Sequence, residues 1–400
     1  MDKKAMVYIQ SGGPTSVINS SLYGAIREAE KHPEISHIYG SLNGIDGLLN
    51  DNVIDLGQED RENIELLVQT PGAALGTTRH KLPKDLHAEE YQKILDTLEK
   101  HNIGYVFVNG GNDSMDTCHK LSLLAKERAL DIKVIGVPKT VDNDLAETDH
   151  SNGFGSAAKY VVNTVREIIA DAVSYKSYKA YIIEVMGRNA GWLTAAVDVL
   201  PENARPDLIY LPENKFDANA FVDKVAKIYK EKGICVAVVS EGIEFERDDA
   251  NVKVDSFGHK QLGGAASDLA RMVNSKYGIS MRAIELSLPQ RTFAPLISKV
   301  DSDEAIACGA MAVRKACEGM TAQMIAIKRV SSKPYKAELV PVDVSKIANV
   351  ERKIPTSMMK DDTRMDQSFR DYCLPLIEGE IPVKFENGII KTCVLKKVRI

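Results

Sequence analysis

The 400-residue chain has 51 basic and 56 acidic side chains, a formal net charge of -5, and 44% hydrophobic and 27% charged residues. A chain of this length can bury a large core and divide into two domains. Its small net charge leaves no electrostatic footprint for nucleic acid or an anionic membrane, so any anion site must be local. No stretch of about 20 apolar residues reads as a membrane span. The start, Met1-Asp2-Lys3-Lys4, runs into a strand-like segment without an apolar signal core. Cys118, Cys235, Cys308, Cys317, Cys373 and Cys393 form no Cys-x-x-Cys pair. Reduced thiols in the cytoplasm are therefore expected, with no zinc site and no disulfide framework.

Short apolar runs alternate with helix-length amphipathic segments, the pattern of a mostly parallel sheet covered by helices. Ala5 to Gln10 is the first predicted strand, followed by Ser11-Gly12-Gly13-Pro14 and a predicted helix over Val17 to Lys31. A glycine turn between a strand and a helix N-terminus lets backbone N–H groups approach a phosphate, and it also occurs as an ordinary tight turn. Thr70 to Arg79 is a glycine-bearing loop ending in an arginine. The run Tyr105 to Asn109 leads into Gly110-Gly111-Asn112-Asp113-Ser114 and a helix from Met115 to Arg128. Asp113 and Ser114 read equally as helix caps.

The next strand, Lys133 to Val137, leaves the sheet as Pro138-Lys139-Thr140-Val141-Asp142-Asn143-Asp144. Carboxylates spaced i, i+2 on extended backbone point the same way, with Cα atoms roughly 6.6 Å apart. That arrangement suits one base and one metal-side carboxylate, while Lys139 and Thr140 add a cation and a hydroxyl for a charged phosphate. The plain alternative is an Asx-turn. Because ligands of open parallel sheets bind beyond the carboxyl ends of adjacent strands, the loops at 110 and 138 should open onto one crevice.

In the second half, predicted strands Tyr181 to Val185, Leu208 to Leu211, Ile234 to Val239 and Met281 to Leu286 end in polar or glycine-rich loops. Among these are Met186-Gly187-Arg188, Ser240-Glu241-Gly242 and Leu288-Pro289-Gln290-Arg291. A long helix over Ser302 to Glu318, tail strands near Gln323 to Lys328 and a last helix around Asp366 to Cys373 follow.

Taken in order, Gly12-Gly13, Gly76-x-x-Arg79, Gly110 to Ser114, Pro138 to Asp144, Gly153-Phe154-Gly155-Ser156, Met186-Gly187-Arg188, Glu241 and Gln290-Arg291 resemble the phosphofructokinases. Within that family the similarity is to the branch that uses pyrophosphate, and it covers roughly the first three quarters of the chain. The resemblance implies an α/β protein of two similar Rossmann-like three-layer lobes with mostly parallel sheets and the active site in the cleft between them. We assign residues 1–150 to a phosphoryl-donor lobe, leaving open that a late segment returns to it. Residues 151–350 form a sugar-phosphate lobe, and 351–400 a C-terminal extension packing back on the lobes.

The resemblance also implies phosphoryl transfer to the 1-hydroxyl of fructose 6-phosphate, with Asp142 as general base and Lys139 and Asp113 as catalytic partners. Gly13, Arg79, Ser114 and Lys139 match donor-binding positions. Thr140, Asp142, Asp144, Lys179, Met186, Gly187, Arg188, Glu241, Leu288, Gln290 and Arg291 match substrate-binding ones. Mg2+ is the implied cofactor, yet Asn112 stands where many members have the aspartate taken as its ligand, and a neutral amide is a poorer ligand for a hard cation. Lys179 stands where the bacterial ATP enzymes have an arginine reaching across from a neighbouring subunit, so a homodimer or homotetramer is expected. The ATP enzymes' Pro-x-Asp-Arg is replaced by Lys299-Val300-Asp301-Ser302, and nucleotide-type allostery is not carried over.

The donor choice rests on Asp113 and Lys139, since the ATP enzymes have glycine at both positions. A carboxylate at 113 overlaps the α-phosphate of a nucleotide, and an ammonium at 139 suits pyrophosphate. An ATP-dependent phosphofructokinase, a non-catalytic sugar-phosphate sensor and a nucleotide-dependent lipid or dinucleotide kinase remain as alternatives. The sensor reading conflicts with retention of Asp142, Asp144 and Lys139 together.

Overall fold

A computed structural model describes residues 3–176, 178–246 and 263–400; Met1 and Asp2, named above, lie outside the described residues. The strands of the two larger sheets are β1 (Lys4–Gln10), β2 (Ile35–Ser41), β3 (Val53–Asp55), β4 (Ile103–Gly110), β5 (Lys133–Pro138), β6 (Lys179–Val185), β7 (Leu208–Tyr210), β8 (Ile234–Ser240), β9 (Arg282–Glu285), β10 (Gln323–Ser332) and β11 (Tyr335–Asp343). The main helices are α1 (Ile18–Ala29), α2 (Glu89–Lys100), α3 (Asn112–Glu127), α4 (Phe154–Val173), α5 (Ala218–Lys232), α6 (Ala265–Tyr277), α7 (Lys299–Cys317) and α8 (Gln367–Cys373). No described helix is long and apolar enough to cross a membrane.

The chain forms two compact units. The first comprises 1–156, 291–351 and 379–400, and the second 157–290 and 352–378. Residues 291–351 are thus a late segment of the kind left open above, belonging to the first unit and not to the second: β10 adds to β5 in parallel and carries that stretch back to the first sheet. The same division splits the 351–400 extension between the units.

The first unit holds a seven-stranded sheet in the order β11-β10-β5-β4-β1-β2-β3, parallel except at its two edges, β3 and β11. Its central strands are buried nearly throughout, as a parallel sheet covered on both faces requires. On one face Leu98, Met115, Cys118 and Leu121 of α2 and α3 pack against Val7, Val106 and Val108. On the other, Leu22, Ala25 and Ile26 of α1 and Cys308 and Ala312 of α7 pack against Met6, Tyr8 and Phe107. Helices α1 and α7 lie unusually close: a Cβ on Gly309 would stand 1.9 Å from the Ser21 carbonyl oxygen, so only glycine permits the approach. Residues 379–400 add to this unit through Gln69 Nε2, which donates to the carbonyls of Lys384 and Lys391, and through a bridge between Ile54 and Arg399.

The second unit has a four-stranded parallel sheet in the order β7-β8-β6-β9, with α5 and α6 packed through Phe221, Val225, Leu269 and Val273. Asp217 caps α5 by accepting from two backbone N–H groups, and Gly233 closes it in the left-handed region. Residues 352–378 pack here. Trp192 is buried and meets Phe369, Tyr372 and the Arg352 guanidinium, and Asp198 accepts from Arg364 and the Met365 N–H.

Candidate active site

Strands β5, β4 and β1 lie side by side in the first unit, with Gln10 opposite Asn109 and Gly110 opposite Pro138. They end level, so the turns at 110–114 and 138–144 emerge together at one edge, as the sequence predicts, and the 11–13 turn joins them. Ser11 N–H donates to Asn109 O at 2.9 Å, Lys139 N–H to Gly110 O at 3.1 Å, and the Lys139 ammonium to Gly13 O at 2.7 Å. The 70–79 loop joins them: Gly12 N–H donates to Thr78 O at 3.2 Å and Thr77 Oγ1 to Gly12 O at 2.7 Å. Gln10 and Asn19 hold its earlier part through Leu75 N–H, Ala74 N–H and the carbonyls of Thr70 and Gly72.

The 138–144 loop is braced rather than left to solvent. Asp142 N–H donates to Thr140 Oγ1 at 3.1 Å, and the chain turns left-handed at Asn143 (φ 56°), whose Oδ1 accepts from Ser151 N–H at 3.0 Å. Thr140 N–H donates to Asn152 O and Asn152 Nδ2 to Pro138 O, both at 3.1 Å. The bracing segment has its own anchors. Asp301 accepts from Gly153 N–H, Ser156 N–H and the Ser156 hydroxyl at 2.8, 2.8 and 2.6 Å. His150 lies between Asp149 (2.9 Å) and Glu304 (2.6 Å). Burial disfavours its charge, but Glu304 and Asp149 outweigh burial and raise its pKa to about 9, so the ring is an imidazolium at neutral pH.

Burial, then the nearby Arg291 guanidinium, push the Lys139 ammonium down to about 7, and Asp142 and Asp144 offset only part of this. Burial, then the Asp142 charge, push Asp144 up to about 7. A cation reluctant to charge beside a carboxylate reluctant to ionise is a site that a multiply charged anion and its counter-cation would complete. Arg291 crosses the glycine turn: a Cβ on Gly13 would stand 2.8 Å from Arg291 Nη1. The sequence groups Arg291 with the sugar-phosphate residues, and the structure places it beside Lys139.

Asn112 Nδ2 donates to Asp144 Oδ2 at 3.1 Å, which leaves Asn112 Oδ1 and Asp144 Oδ1 buried without a donor among the described residues. Adjacent buried oxygens of this kind fit a hard divalent cation. Helix α3 begins at Gly111 without a side-chain cap, so the capping alternative for Asp113 and Ser114 does not hold. The Asp113 carboxylate instead pairs with Lys81 at 3.7 Å, a partner the sequence reading missed, although Lys81 stands two residues beyond Arg79.

In the second unit, loops at the carboxyl ends of the adjacent strands β6 and β8 interlock with the turn after β9. Met186 N–H donates to Gln290 Oε1 at 3.1 Å and Gly187 N–H to Glu241 Oε1 at 3.3 Å, while the Ser240 hydroxyl donates to Gly187 O. Arg188 continues the same loop, and Leu288 is exposed. Lys179 is not gathered with them. It opens β6, roughly 20 Å of strand away from Met186 at about 3.3 Å per residue, with its ammonium 4.3 Å over the Tyr175 ring.

Residues 5–327 match the family model for phosphofructokinase. The chain is 42% identical to the pyrophosphate--fructose 6-phosphate 1-phosphotransferase of Xanthomonas campestris, over 99% of this chain and 97% of that one. It is 36% identical to a sulfofructose kinase of Alkalicoccus urumqiensis, over 88% and 91%. The crystal structure of pyrophosphate-dependent phosphofructokinase from Marinobacter aquaeolei superposes with a TM-score of 0.90 at 38% identity, covering 99% of this chain and 97% of that one.

Proposed function

The chain belongs to the phosphofructokinase family, and from that membership we propose that it moves a phosphoryl group from pyrophosphate to the 1-hydroxyl of fructose 6-phosphate. The products are fructose 1,6-bisphosphate and phosphate, and the reaction is reversible. The observation that carries the donor choice is Lys139, buried with its ammonium on Gly13 O and within the field of Arg291, Asp142 and Asp144. An anion as dense as pyrophosphate supplies what this ammonium lacks. Asp113 adds a carboxylate at the open start of α3, where a nucleotide's α-phosphate would meet like charge.

Asp142, on the braced loop, accepts the proton of the sugar 1-hydroxyl as its oxygen attacks phosphorus, with Thr140 and Asp144 beside it. Gly13, Arg79, Ser114, Lys139 and Arg291 orient the donor and spread its charge, which is most of what phosphoryl transfer asks of a protein. Asn112 and Asp144 are the residues that would hold magnesium, which when bound supplies charge neutralisation on the donor oxygens. Met186, Gly187, Arg188, Glu241, Leu288 and Gln290 bind the sugar phosphate. Lys179, far from them along β6, serves the site of a neighbouring copy, so the active form is a homo-oligomer in the cytoplasm.

The deciding assay offers pyrophosphate or ATP, each with Mg2+ and fructose 6-phosphate, at equal concentration. Faster turnover with ATP would sink the donor assignment. The sulfofructose kinase relative makes a sulfo-sugar the informative competing acceptor, and preference for it would overturn the choice of sugar.

A further inference from the structure

At the opposite end of the first sheet from the catalytic turns, α1 ends at Ala29 and the chain turns through His32-Pro33-Glu34 into β2, where Cys317 arrives as the last residue of α7. One ligand atom from each of His32, Glu34 and Cys317 lies within 4.8 Å of the others, the only such trio of His, Cys, Asp or Glu among the described residues. His32 Nδ1 faces Glu34 Oε1 at 3.2 Å, and its other nitrogen, Nε2, faces Glu28 Oε1 at 3.5 Å. Glu28 is nearly buried and held by Lys31 at 2.8 Å and Arg314 at 3.1 Å.

We propose that His32 Nδ1, the Glu34 carboxylate and the Cys317 thiolate form a binding site for a zinc-class divalent ion. A carboxylate is the usual outer partner of a metal-bound histidine, and Glu28 Oε1, 3.5 Å from Nε2, stands where it can take that N–H once Nδ1 turns from its Glu34 hydrogen bond to the ion. Mixed nitrogen, sulfur and oxygen ligands select zinc over magnesium or calcium, and one thiolate with one carboxylate balances a double positive charge. Tetrahedral coordination at ordinary bond lengths places ligand atoms about 3.3–3.7 Å apart, so the side chains close by about 1 Å. Water fills the fourth position from the adjoining 410 Å3 surface cavity lined by His32, His37 and Asp55. The bound ion ties the α1–β2 turn to the end of α7, and it touches none of the catalytic turns.

The full chain, stripped with EDTA under reducing conditions, is titrated with Cd2+ and then with Zn2+ against a chromophoric chelator. One equivalent should give a thiolate-to-cadmium charge-transfer band. Cys317→Ser should abolish the band and weaken binding at least 100-fold, Glu28→Gln about tenfold. Zn2+ should raise the Tm of the wild type and not of Cys317→Ser, whose turnover stays unchanged. Absence of the band at stoichiometric Cd2+, or a band that survives Cys317→Ser, overturns the proposal and leaves His32 as a ring held between the Glu34 and Glu28 carboxylates.

Discussion

Replacing Lys139 by methionine separates what its charge does in the empty protein from what it does with the donor bound. A fall from 10.5 to about 7 corresponds to roughly 5 kcal/mol of preference for the neutral amine. The folded state holds this proton less tightly than the unfolded chain, so the charge opposes folding in full below about pH 7, and the penalty fades as pH rises toward 10.5. The empty Lys139→Met protein should therefore be more stable than wild type at pH 6.5, by up to that amount, with the gap closing by pH 10. Donor binding reverses the balance, because a polyanion against Lys139 restores its charge and draws a proton from solvent. At pH 8.5, calorimetry in buffers of different ionisation enthalpy should find close to one proton taken up per pyrophosphate, and none in Lys139→Met. Loss of a buried charge-assisted contact to the donor should lower kcat/KM for pyrophosphate by about 10² to 10³, equivalent to about 3–4 kcal/mol. A loss under tenfold, or binding without proton uptake in wild type, refutes the reasoning.

Asp142→Asn should lower kcat by about 10² to 10⁴ with sugar KM nearly unchanged; a variant keeping more than about a tenth of turnover contradicts the base assignment. Asp113→Gly should raise kcat/KM for ATP, and no gain over wild type in a coupled assay would remove the carboxylate from the account of donor choice. The His150 imidazolium contributes stability that is complete below about pH 6.5 and lost as pH rises through about 9, so urea denaturation should show His150→Gln less stable than wild type by about 3 kcal/mol at pH 6 and nearly level at pH 10. Gly309→Ala sets a methyl against the Ser21 carbonyl and should cost about 3 kcal/mol or more, read as a lowered Tm without change in pyrophosphate KM.

The catalytic turns were legible because each follows a strand buried nearly throughout, whose apolar run gives way within a few residues to glycine or proline. The predicted runs from Ala5, Tyr105 and Lys133 end within one residue of β1, β4 and β5. The bracing was not legible. Asn143, His150, Asn152 and Asp301 are ordinary polar residues, and their pairing joins positions up to 154 apart in sequence, which no local periodicity records. The return of 291–351 to the first unit has the same origin, because the choice of β5 as the neighbour of β10 is a tertiary one. Lys81 reads as one more exposed cation until α3 brings Asp113 beside it. The start of α7 was misread by three residues, since Ser298 caps it at Lys299, earlier than the apolar spacing suggests.

The division of the polypeptide between its units has a consequence for synthesis. The chain passes from one unit to the other four times, at 156/157, 290/291, 351/352 and 378/379, so neither unit is a contiguous stretch. The outer strand β3 pairs with β2 on one side, and its other edge is covered by the tail, through Asp55 N–H on Val398 O at 2.9 Å and Ile400 N–H on Val53 O at 3.3 Å. During translation at about 5–20 residues per second, the second unit can gather its sheet while the first still lacks β10, β11 and that cover. For those tens of seconds β3 presents an unsatisfied backbone edge to every other nascent chain on the same message. That edge is covered only when residues 379–400 emerge, and the order in which the segments emerge makes the first unit to begin the last to finish.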